Sequence, residues 1–92
     1  MPYIKKAGRQ RIDELLSQVH IDGPGELNYA ICKLAINFLD KREMSYTTLN
    51  DIIGAMAGAQ AEFTRRIVVK YEEHKIRENG DIFSDVIRTK NI

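Results

Sequence analysis

Glu62-Phe63-Thr64-Arg65-Arg66, followed by Lys70-Tyr71 and Lys75, gathers side chains able to recognise an anion into one stretch of this 92-residue chain. Arginine presents a planar fork that matches phosphate oxygens, and tyrosine offers a ring face to a base and a hydroxyl to a phosphate or ribose. At helical spacing Arg66 and Lys70 share a face and Arg65 lies on the adjoining one. Tyr3, Lys5 and Lys6 repeat the same chemistry near the start, where an arm could fold over a pocket on another subunit. The expected ligand-binding set is therefore Tyr3, Lys6, Arg65, Arg66, Tyr71 and Lys75. A structural reading competes with it: Arg66 pairs with Glu62, Arg65 pairs with a carboxylate of another helix, Tyr71 packs with a satisfied hydroxyl, and the arm is a solvated tail.

Catalytic groupings are harder to assemble. His20 and His74 are far apart in sequence, and neither has metal-ligand spacing. Glu72, Glu73 and His74 are consecutive, so on a helix they point to different faces and do not converge on one atom. Ser45 and Ser84 lack the flanking glycines of a nucleophile elbow, and Gly23-Pro24-Gly25 is too little of a dinucleotide fingerprint to count. No catalytic residue, metal or cofactor is expected. Cys32, the one cysteine, lies inside an apolar helical pattern and reads as a small core residue.

Fourteen basic and thirteen acidic residues leave a net charge of +1, which argues against an extended, sequence-independent grip on DNA. No apolar run approaches the length needed to span a bilayer, and the N-terminus has no secretory pattern, so the cytoplasm is the expected compartment.

The elements that must position these residues are all helical. Ile12, Leu15, Leu16 and Val19 repeat at i, i+3, i+4 and i+7 and predict a helix over Arg11 to Val19. Asp22-Gly23-Pro24-Gly25 is a turn. A second helix runs from about Glu26 to Asp40, with Leu27, Ala30, Ile31, Leu34, Ala35 and Phe38 facing a core. Hydroxyl residues at Ser45 to Thr48 start a third, with Asp51 placed three residues after Thr48 as a capping-box partner, and Asn79-Gly80 stops it.

That third helix is the long one. The proline-free run from Leu49 to Gly80 would reach roughly 45 Å at 1.5 Å per residue, longer than the diameter of so small a compact domain. It carries a bulky stripe of Ile52, Met56, Phe63, Ile67 and Tyr71. A stripe of small residues, Gly54, Gly58 and Ala61, leads to Arg65 and could admit another backbone closely. Glu62/Arg66 and Glu73/Arg77 are candidate i,i+4 pairs. The fold class predicted is all-α: two short helices and one long C-terminal helix, a hairpin or bundle completed by homo-oligomerisation. One domain spans 1–92, with flexible or docking tails at 1–8 and 82–92, the latter extended or weakly helical.

The segments MPYI, Gly25-Glu26-Leu27-Asn28-Tyr29, Leu49-Asn50-Asp51-Ile52-Ile53-Gly54, Glu62-Phe63-Thr64-Arg65-Arg66, Tyr71-Glu72 and Glu78-Asn79-Gly80-Asp81 together resemble a family of small uncharacterised proteins of phages and bacteria, over residues 1 to about 81. Relatives of that kind often carry a proline just before the tyrosine, where Lys70 stands here. The resemblance implies no activity. More loosely, an aromatic residue followed by arginine on a long terminal helix is similar to phage cyclic-oligonucleotide sponges that blunt CBASS immunity, helical homo-oligomers that bind signals between subunits. This similarity implies a cyclic or linear nucleotide as ligand, in the host cytoplasm, without aligning any binding residue. The alternative is a structural or protein-inhibitor module that docks a protein through the long helix.

Overall fold

The computed structural model describes residues 3–92; Met1 and Pro2, part of the expected 1–8 tail and of the MPYI segment, lie outside the described residues. Five α-helices and one π turn make up the fold: α1 (Lys6–Leu16), α2 (Pro24–Asp40), α3 (Tyr46–Phe63), the π turn (Thr64–Val68), α4 (Val69–Asn79) and α5 (Ser84–Lys90). No strand forms among the described residues, and none of their helices is long and apolar enough to cross a membrane. The all-α expectation holds. α3, the π turn and α4 run on without interruption as one helix of 34 residues. The chain forms two compact units, Met1–Ala59 and Gln60–Ile92.

In the first unit, α1 begins five residues earlier than its apolar period predicts and ends three earlier. Ala7, Arg9 and Gln10 are good helix formers that extend the helix backwards, and the Arg9 Nε–H donates to the Ile4 carbonyl at 2.9 Å. Ser17 closes the other end with its hydroxyl on the Glu14 carbonyl at 2.7 Å, which leaves Val19 outside the helix. α2 has proline in its first turn, where the missing N–H costs nothing, and the Glu26 carboxylate reaches back to accept from the Asp22 N–H at 3.1 Å. At the far end of α2, Arg42 donates to the Phe38 carbonyl at 3.0 Å and lies 3.4 Å from the centre of the Phe38 ring.

Ser45 caps α3. Its hydroxyl accepts from the Thr48 N–H at 3.2 Å, so the box begins one turn before the position expected, and Thr48 rather than Asp51 is its second member. Thr48 is also the one buried residue among the described residues, at 8% exposure.

Burial is where expectation and structure part. The α2 stripe Leu27, Ile31, Leu34 and Phe38 has the period of a buried face, yet all four are exposed, and no hydrophobic residue among the described residues is buried. A large apolar side chain left in water forgoes about 1.5–3 kcal/mol. Cys32 shares this fate: it is exposed, with its thiol 3.8 Å from the Asn28 carboxamide oxygen, because no described residue covers that helix face.

In the second unit, α4 stops at Gly80, whose φ of 86° and ψ of 157° fall in a region open to glycine alone, while its N–H donates to the Ile76 carbonyl at 2.8 Å. Beyond it, the Asp81 carboxylate accepts from the Phe83 N–H at 2.8 Å and the Ser84 hydroxyl donates to the Asp81 carbonyl at 3.0 Å. This turn starts α5, so the segment read as extended or weakly helical contains two turns of regular helix, braced by Arg88 and Asp85 at 2.9 Å.

Candidate anion-binding face of the long helix

The π turn sets the azimuth of every candidate side chain in the second unit. Its signature is the Val69 N–H donating to the carbonyl of Thr64, five residues back, where an α-helix would bond four back. In an unbroken α-helix, at 3.6 residues per turn, Ile67 and Tyr71 would drift about 40° and 80° from Phe63. With more than four residues per turn between them, steps of four return almost to the starting azimuth. Phe63, Ile67 and Tyr71 therefore line up, and Arg66 and Lys70, each one residue back, form a parallel row about a quarter-turn away.

Arg65 is engaged by Glu62, whose two carboxylate oxygens accept from one guanidinium nitrogen at 2.9 and 3.1 Å. The expected Glu62/Arg66 pair is thus replaced by an i,i+3 pair. Both partners are within reach on a helix surface, so residue spacing alone does not decide between them. Arg66 and Lys70 engage no carboxylate among the described residues. The expected Glu73/Arg77 pair is also unmade. Glu78 takes both His74, at 3.0 Å, and Lys75, at 3.2 Å, each of its oxygens serving one of the two side chains. Lys75 lies 5.6 Å from the centre of the Tyr71 ring, within cation–π range, so the structure brings these two candidates together.

Tyr3 and Lys6 belong to the first unit, both exposed, with Lys6 the first residue of α1 rather than part of an extended arm. Lys70 is the functional candidate the expected set omits; its spacing of four from Arg66 is the signal that marks it. His20 pairs with Asp22 at 2.6 Å in the exposed loop before α2. No group of three or more His, Cys, Asp or Glu among the described residues could hold a metal ion.

What the face offers is charge and π surface. Two unpaired cations one turn apart, beside an exposed phenol and an ammonium near its ring, can take two phosphate oxygens and stack a planar group. No curated protein and no solved structure matches the chain. A family model described as "Domain of unknown function (DUF6899)" matches residues 1–82, and the chain belongs to that family.

Proposed function

We propose that this protein binds a ligand without transforming it, and that the ligand is an anionic, nucleotide-like molecule held on the Arg66, Lys70, Tyr71 and Lys75 stretch of the long helix, with Arg65 released from Glu62 to join it. Tyr3 and Lys6, exposed in the first unit, are separate anion-binding candidates. The observation that carries this reading is the pair Arg66 and Lys70, one turn apart and without a carboxylate partner among the described residues, beside an exposed tyrosine. Surface ion pairs are worth about 0–1 kcal/mol, whereas a charge-assisted bond to phosphate is worth roughly 1.5–3 kcal/mol, so a phosphate can compete with the half-buried Glu62 carboxylate for the exposed Arg65. The similarity to cyclic-oligonucleotide sponges supports an immune second messenger as the ligand and sequestration as the role.

A thermal-shift screen against cyclic and linear nucleotides tests this. A ligand at a hundred times its Kd stabilises the folded state by about 2.7 kcal/mol, a rise of roughly 10 °C or more for a chain of this size. No shift with any nucleotide at millimolar concentration contradicts the reading. The exposure of Phe63, Ile67 and Tyr71 on the same helix favours a second reading, docking of a protein through the long helix. A folded, assembled protein blind to every nucleotide would support it.

A further inference from the structure

We propose that Phe63, Ile67 and Tyr71 are the seam along which two copies of this chain pack, and that the π turn is the device that keeps the seam straight. The inference shares Tyr71 with the ligand reading: where the seam covers the ring, the cations Arg66, Lys70 and Lys75 are what it leaves to an anion. Phe63 is 61% exposed, Ile67 55% and Tyr71 61%, three large side chains that share one azimuth across the π turn and stay open to solvent, Lys75 alone standing near the Tyr71 ring among the described residues. In helix-pairing terms the chain has one residue too many here: a seam steps by three and four, and Phe63 to Ile67 to Tyr71 steps by four and four. The bond from Val69 to Thr64 absorbs the extra residue in the backbone.

Three further observations select a second copy as the occupant. The stripe is symmetric about its centre, with an aromatic residue four positions on either side of Ile67, so a two-fold axis through Ile67 makes it self-complementary. The charge of the second unit is nearly balanced, seven basic against six acidic residues, so like meets like with little repulsion and without preference for an acidic or basic partner. The area sets the extent of the interface. The three seam side chains offer roughly 350 Å². Ile82, Phe83, Val86 and Ile87, also exposed in the second unit, must join them for the seam to reach the ~800 Å² per partner of a stable interface. Tyr71 ends the stripe, with the Lys75 ammonium 5.6 Å from the centre of its ring.

Single-residue length changes in the π turn test the seam on the full chain by sedimentation equilibrium. Deleting Thr64 restores steps of three and four, so the π turn closes to α-helix and association persists at wild-type strength. Inserting one alanine after Thr64 swings Ile67 and Tyr71 about 100° away, and association weakens at least tenfold. Arg77→Asp, off the stripe, leaves association unchanged. A variant that keeps the fold intact completes the set: with Cys32→Ser, Ile67→Cys should oxidise to a disulfide-linked dimer, which needs Cα atoms within about 7 Å. A wild-type protein that is monomeric at tens of micromolar, an insertion that associates normally, or an Ile67→Cys protein that stays reduced would each overturn the proposal.

Discussion

Replacing both Gly54 and Gly58 by alanine should stabilise this protein. Both lie inside α3, neither has positive φ, and a Cβ built on either meets no atom of the chain within 4 Å. Glycine inside a helix costs roughly 0.5–1 kcal/mol relative to alanine, through the freedom it loses on folding. With no clash to offset that gain, the double substitution is worth about 1–2 kcal/mol. For a domain of this size each kcal/mol moves Tm by roughly 4–8 °C, so the midpoint should rise by about 4–16 °C in calorimetry at fixed protein concentration. Gly58 lies about 140° round the helix from Phe63, so the seam is untouched and the sedimentation coefficient should not change. A fall in Tm together with loss of assembly would refute the reasoning. It would show that another backbone occupies the small-residue groove, as the Gly54, Gly58, Ala61 spacing alone predicts, and that the seam has been placed on the wrong face.

Ser45→Ala removes the hydroxyl that accepts from the Thr48 N–H and should cost about 1 kcal/mol, read as a lower denaturant midpoint with unchanged slope. Asp81→Ala frees the Phe83 N–H and should fray α5, so that amide protection is lost from Ile87 onward while α4 keeps its own. Arg66→Ala and Lys70→Ala should each weaken nucleotide binding by about ten- to a hundredfold. Arg65→Ala should weaken it less, because Arg65 must first leave Glu62; equal, small effects in all three would remove the site.

Much of the helical plan was legible because its signals are local. Glu26 near the start of α2, the hydroxyl cluster before α3 and Asn79-Gly80 at the end of α4 act within a turn, and each ends or begins a helix within a few residues of where its chemistry requires, while Pro24 and Gly25, read as turn, are the first residues of α2. α5 was half legible. Its seven residues are too few to show a period, and its start depends on an Asp81 turn that composition does not reveal. The π turn left one trace, the four-and-four spacing of Phe63, Ile67 and Tyr71, which an ordinary helical wheel reads only as a drifting stripe.

Burial was the least legible property. Periodicity says which face of α2 is apolar but not whether this chain supplies the cover, and Cys32, read as core on that pattern, is exposed. At the candidate site, the stretch from Arg65 to Lys75 was found from residue types, while the partner of Glu62 was not. A carboxylate with arginines at i+3 and i+4 has two nearly equal options, and the structure takes the nearer residue.

The central claim is that the exposed apolar faces of this chain are covered by further copies of itself, so that its folded state depends on its own concentration. The direct measurement is the thermal unfolding midpoint, followed by far-UV circular dichroism over a hundredfold range of protein concentration. An associating protein loses stability on dilution by mass action, so the midpoint should fall steadily across that range. A midpoint independent of concentration, in a protein that sediments as a monomer throughout, would contradict the account.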